Sequence, residues 1–295
     1  MKKDVSPFVK NRVWEVDFIR GLAILLVVWD HAMYDFARNF PLWATGGNEF
    51  LYTVTRFASD YLNGGLRFLW RPAFLFLFFF TSGLCTALSK NNLFRGLRLW
   101  AVACAVSVVT YAVEALSGEY AFALFGVLHC LAVCVLSFCP VYYLVKGLTA
   151  LVSHVRKRPY DTAMERWVLT ALCLILSGVF VTLHFVYNVR LSEMVRYYAT
   201  VRSDSKIIGL FLVNEKWWTA DYFPLLPFIA FFYLGAGLSR VLYEKKRSLF
   251  PLLDGYWNKP FCFVGRRSLV VYLGGQILAI VLGCLANLIA FGSLF

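Results

Sequence analysis

Asp30 and His31 stand side by side in the middle of the first long apolar run of the chain, FIRGLAILLVVWDHAMYDFA over residues 18–37. An ionised group at the centre of a bilayer costs from about 2.5 kcal/mol upward, so a group kept there lines a polar cavity, pairs with another, or handles protons. On a helical wheel His31 and Arg20 lie within about 20° of each other. Asp17, Tyr34, Asp35 and Arg38 fall on or near that face, and Asp30 flanks it. Apolar Ile24 and Val27 interrupt the stripe, so the polar groups gather at its two ends. Such a face belongs toward the interior of a helix bundle, as a site or as a set of hydrogen bonds pinning neighbouring helices. For Asp17 and Arg20 the two readings stand level; for His31 the functional one is taken.

Depth brings other groups to the same level. At 1.5 Å per residue His31 is roughly 20 Å above residue 18. His129, in FGVLHCLAV, is about 12 Å below the outer surface if its span enters near residue 121. Arg71, Glu114, His184 and Asp221 fall at or above that level, and such convergence is what a site looks like. Taken singly, Glu114 and His184 read as rim residues. Gln276, in YLGGQILA, is about 12 Å in from the opposite side, a polar contact for a ligand arriving there. Trp217, Trp218, Tyr222 and Phe223 read as an interfacial aromatic belt or as a platform for a sugar-like acceptor. The eight cysteines lie mostly in apolar runs and act as small hydrophobes; even Cys130 and Cys134 lack a second ligand pair, so no metal is expected. His154 sits in a basic connector and is not a site residue.

These groups need long apolar elements to hold them. The chain has 295 residues, 60% hydrophobic and only 16% charged, against about 45–50% and 25% in soluble domains. The expected fold is all-α: a polytopic integral membrane helix bundle forming a single domain over 1–295. Seven spans are read, at 18–37, 68–89, 97–116, 121–145, 167–188, 223–243 and 268–291. An eighth arises if the over-long stretch 121–152 breaks at Pro140. Residues 1–17 form a cytoplasmic N-terminal segment with no cleavable signal peptide. With the N-terminus inside and the C-terminus outside, 20 of the 29 Lys and Arg fall on inner segments, the positive-inside pattern. The net charge of +12 is thus an orientation signal and a signal for anionic lipid. Its scatter over short loops argues against nucleic acid. The loop 38–67 is rich in Gly, Asn and aromatics and is expected to be ordered against the bundle.

Five segments in chain order resemble a known family. WEVDFIRGLAILLVVWDHAMYDF is similar to the opening of the heparan-α-glucosaminide N-acetyltransferase-like catalytic domain, within a larger superfamily of transmembrane acyltransferases. RPAFLFLFFFTSG resembles its second helix, FGVLHCLAV its FG-(I/V)-LH segment, DYFPLLPFIAFFYLGAGLSR its DYFPL helix, and GRRSLVVYLGGQ its closing motif. The resemblance spans residues 14–276 and favours the bacterial branch, hence a bacterial plasma membrane. Two departures stand out. The closing motif usually has a histidine before its glutamine, where this chain has Gly275; the departure leaves open an altered or inactive member. Eukaryotic acetyltransferases of the family carry a histidine in the luminal segment after the first helix, and this chain has none between His31 and His129.

The resemblance implies transfer of an acyl group, acetyl from cytoplasmic acetyl-CoA, to an extracytoplasmic glycan or amino sugar. His31 is the first candidate for the base that takes the acceptor's proton, oriented by Asp30 or Asp35, and His129 is the second. Arg20, Arg266, Arg267 and Gln276 are candidates for holding the donor, with Arg95 and Arg98 also on the inner side. Arg71, Asp221 and Tyr222 are candidates for holding the acceptor. The bilayer is the first partner, and homo-oligomerisation is left open. Two rival classes remain: a proton-coupled carrier, against which stand the absence of inverted repeats and the low span count, and an inactive accessory protein of the same fold.

Overall fold

The computed structural model describes residues 13–118, 121–191, 200–201, 204–214, 216 and 221–292; the basic residues Lys2, Lys3, Lys10 and Arg12, and the paired Trp217 and Trp218, lie outside this set. All seven apolar runs fold as helices. The element order is α1 (Trp14–Arg38), α2 (Leu42–Thr45), α3 (Glu49–Asn63), α4 (Gly65–Leu88), α5 (Asn92–Ser117), α6 (Val127–Val155), α7 (Thr162–Leu191), α8 (Lys206–Phe211), α9 (Phe228–Leu242), α10 (Lys259–Arg266) and α11 (Ser268–Phe291). A two-residue parallel pairing joins Thr200–Val201 to Val213–Asn214.

Local chemistry sets the helix ends. The Asn91 side chain accepts from Phe94 N at 2.9 Å and starts α5, and Asn48 does the same for α3 from Leu51 N at 3.1 Å. Gly118 and Gly292 close α5 and α11 at φ of +72° and +74°, the left-handed backbone that glycine adopts without strain.

Five helices, α4, α5, α6, α7 and α11, are long and apolar enough to cross a membrane. The other two expected spans fall short for different reasons. At 25 residues α1 has the length, but it carries Glu15, Asp17, Arg20, Asp30, Asp35 and Arg38. The helix α9 starts only after Pro227, leaving 15 helical residues, about 22 Å against a hydrocarbon core of about 30 Å. Pro140 does not split α6, which runs unbroken for 29 residues. The expected outer loop 38–67 is ordered, chiefly as the helix α3, which packs on α1.

The chain forms two compact units, divided within α4 and again after Arg247. In the first, α1 is central and packs against α10, α11 and α3. Its tightest crossing is backbone on backbone: a Cβ at Gly21 would strike the Phe261 carbonyl, and one at Gly265 would strike the Asp17 carbonyl. In the second unit α7 packs on α9, and α6 on α5, α7 and α9. A second glycine pair serves there: a Cβ at Gly83 would strike the Phe232 carbonyl of α9, and one at Gly235 the Phe80 carbonyl of α4.

Candidate functional site

In the first unit the opening pair of residues separates. The buried Asp30 carboxylate receives Arg67 as a two-toothed ion pair, Nε to Oδ1 at 2.6 Å and a terminal nitrogen to Oδ2 at 3.0 Å. Arg71 Nε stands 3.3 Å from Oδ2, and the Tyr61 hydroxyl donates to Oδ1 at 3.2 Å. Burial and the adjacent carboxylate hold the Tyr61 phenol above its usual pKa, which keeps it a donor. Asp30 therefore ties α1 to α3 and α4. Arg67 and Tyr61 were not among the residues expected from sequence. The signal for Tyr61 was the amphipathic spacing of EFLYTVTRFASDYLN behind the helix-capping Asn48; Arg67 lies beyond it, in the first turn of α4.

His31 turns to the other side of α1. Its Nδ1 lies 2.8 Å from the Val27 carbonyl, one turn back. A carbonyl only accepts, so Nδ1 carries a proton and, in the neutral ring, the lone pair is on Nε2. The ring meets Tyr272 of α11 edge to face at 5.7 Å. One turn further along α1, the buried Asp35 accepts from Gln276 Nε2 at 2.7 Å and from Asn39 Nδ2 at 2.9 Å. His31, Tyr272, Asp35 and Gln276 thus form one seam between α1 and α11: an imidazole of fixed tautomer with a fixed carboxylate four residues on.

Arg20 lies at the foot of the same helix. Its Nε donates to the Gly265 carbonyl at 2.6 Å, and a terminal nitrogen meets Asp17 at 3.2 Å. It clamps the end of α10 against α1 at the glycine crossing. Arg266 and Arg267 are exposed at that same end, with Arg267 over the Phe263 ring at 4.2 Å.

The second unit holds His129, buried on the first turn of α6. Phe125 stacks on its ring at 5.7 Å and Trp100 meets it edge-on at 5.4 Å. Asp221, at φ +46°, sets its carboxylate over the start of α6, 3.4 Å from Val127 N, where negative charge suits the helix dipole. A Cβ at Gly126 would strike that carboxylate. Phe223 N donates to the Phe125 carbonyl at 2.9 Å, so FGVLH and DYFPL fold against each other. The Tyr222 hydroxyl donates to the carbonyls of Gly209 and Leu212, and burial pushes its phenol up to about 12.

Three further residues hold structure or lie at the surface. Glu114 accepts from Ala121 N and Phe122 N at 2.9 and 2.8 Å, Arg95 donates to the Ser82 carbonyl at 2.8 Å, and Arg98 is exposed. Among the described residues no group of three or more His, Cys, Asp or Glu is placed to hold a metal ion.

The motifs thus meet in space: the opening motif with the closing one in the first unit, FGVLH with DYFPL in the second. The family model described as heparan-alpha-glucosaminide N-acetyltransferase, catalytic, matches residues 12–277. The chain belongs to this family. The match contains both units' histidines and runs one residue past Gln276, whose partner Asp35 lies in the opening motif. No curated protein and no solved structure matches the chain. Family and helices together make it an integral membrane protein of an acetyltransferase family.

Proposed function

We propose that the protein is a membrane-embedded acyltransferase that moves an acetyl group from cytoplasmic acetyl-CoA to an amine or hydroxyl of an extracytoplasmic glycan or amino sugar. The observation that carries this reading is the His31 tautomer: Nδ1 engaged by the Val27 carbonyl, so that Nε2 holds the lone pair. The donor supplies an activated thioester carbonyl. The acceptor heteroatom attacks it while the acceptor's proton passes to His31 Nε2, the general-base role; the tetrahedral intermediate then collapses with cleavage of the C–S bond, and the CoA thiolate leaves and takes the proton back from the imidazolium. Asp35, one turn away and held by Gln276 and Asn39, stabilises the imidazolium that results. Arg266 and Arg267, exposed at the end of α10, are the proposed contacts for the donor's phosphates. Arg20 is not assigned to the donor, because it clamps α10. In this reading α1 and α9 also cross the bilayer, the N-terminus is cytoplasmic, and the membrane is a bacterial plasma membrane.

His31→Gln tests the proposal. Purified protein is given radiolabelled acetyl-CoA and cell-envelope glycans, and label on glycan is counted. The variant should fold as the wild type does and lose at least about a hundredfold in turnover, the usual contribution of general-base catalysis. Turnover close to that of the wild type would remove His31 from the mechanism. Proton-driven solute uptake into liposomes without label transfer would favour a carrier.

A further inference from the structure

The segment between α9 and α11 is built inside out for a water-facing loop. Its polar groups are used inward. Leu249 N donates to Glu15 at 2.7 Å, the Phe250 carbonyl accepts from Trp14 Nε1 at 3.1 Å, and buried Asn258 donates to Asp254 at 3.2 Å. Its apolar groups face out: Leu252 is 97% exposed, Tyr256 86% and Trp257 57%. Trp257 is nonetheless ordered, with its ring edge-on to Phe18 at 5.2 Å and to Trp14 at 5.8 Å. Lys259 lies over the Tyr256 ring at 3.6 Å, and a basic run, Lys245, Lys246 and Arg247, precedes the segment in the chain. Two three-residue turns and an eight-residue helix are too short to cross a bilayer. The segment leads directly into α11, which is long and apolar enough to cross one.

We propose that residues 248–263 form an interfacial anchor. Leu252, Tyr256 and Trp257 enter the acyl boundary of the leaflet where α11 begins, and Lys259 binds anionic phospholipid headgroups. Exposed aromatic and aliphatic side chains flanked by cations are the signature of a headgroup-level surface. The cation over the Tyr256 ring, and the basic run that comes just before the segment in the sequence, suit an anionic leaflet. Because the anchor is pinned to Glu15 and Trp14, lipid bound there steadies the foot of α1.

The full chain is reconstituted in nanodiscs of phosphatidylcholine with and without phosphatidylglycerol. Two readouts decide. First, lipids brominated close to the headgroup should quench a share of the tryptophan emission that Trp257→Phe loses. Equal quenching in both proteins overturns the insertion. Second, phosphatidylglycerol should raise the thermal midpoint of the wild type. The variant Lys259→Gln should lose part of that rise, the residue being worth roughly fivefold in headgroup affinity. A variant that keeps the full rise overturns the headgroup contact. A dimer in nanodiscs that Leu252→Glu dissociates would overturn the proposal in favour of a second copy. None of these readouts depends on acetyl transfer.

Discussion

Replacing Asp30 by asparagine tests whether this carboxylate is a structural anchor or an orienter of His31. Each carboxylate oxygen faces two donors: Oδ1 faces Arg67 Nε and the Tyr61 hydroxyl, and Oδ2 faces Arg67's terminal nitrogen and Arg71 Nε. Whichever oxygen becomes an amide nitrogen then confronts a charged donor with another donor. At least one bond to a guanidinium is lost outright, the other is weakened, and two cations lose their counter-charge. Hydrogen bonds to charged groups contribute about 1.5–3 kcal/mol each, and removing one partner of a buried pair costs about 3–5 kcal/mol. The arginine side chains keep 22% and 28% of their exposure, so water recovers part of this. The expected loss is therefore the lower end, about 3 kcal/mol. Arg67→Gln leaves Arg71 on the carboxylate and should cost less, about 1.5–2 kcal/mol. The double variant should cost less than the sum, with a coupling of at least about 1 kcal/mol, because both changes break the same contact. Unfolding in mixed micelles of increasing denaturing-detergent fraction measures all three. Additive costs, or an Asp30→Asn protein as stable as wild type, would refute the anchor. Turnover per folded molecule should fall less for Asp30→Asn than for Asp35→Asn, since Asp35 shares the seam with His31.

Two further substitutions follow from close approaches. Gly21→Ala places a methyl against the Phe261 carbonyl, a backbone atom that cannot step aside, so α1 and α10 must separate and the Arg20–Gly265 bond at 2.6 Å lengthens; a loss of about 2–3 kcal/mol is expected in the same unfolding assay. Gly275→His restores the family's usual residue, but its Cβ would stand 2.6 Å from Val28 Cγ1; it should cost about 1–3 kcal/mol, and Val28→Ala in the same chain should recover most of that cost.

The sequence carried the helices well because apolar runs of membrane length have few alternatives. It carried the polar face of α1 because helical spacing is local. Partners were harder. Asp30 and His31 look like a pair on paper, yet neighbouring residues on a helix point about 100° apart, and each found a different helix. Arg67 was hidden because α3 and the start of α4 lie in a stretch whose mixed polarity reads as loop. Gln276 stands higher along α1 than a count of eight residues from Ser268 suggests. The Gly21–Gly265 crossing sets the end of α10 level with residues 17–21, so α11 starts about a turn up, and Asp35 leans back toward the N-terminus to meet it. Arg20 illustrates the same limit: the spacing showed that it faces inward, not that a helix end awaited it.

The seam between α1 and α11 gives the departure at Gly275 a physical meaning. Val28 and His31 are three apart on α1, and Tyr272 and Gly275 are three apart on α11; His31 meets the Tyr272 ring, and a Cβ at Gly275 would meet Val28. Within this seam an imidazole meets a phenol, and Val28 fills the space into which a histidine at 275 would grow. Where the motif it resembles has a titratable side chain, this chain has close packing against Val28, one turn from its own histidine. His31 is thereby the only histidine of the first unit. If proton transfer at this seam is needed for acetyl transfer, His31 must carry it without a second imidazole at position 275. A chain whose turnover survives loss of His31 would instead be one in which the seam is purely structural.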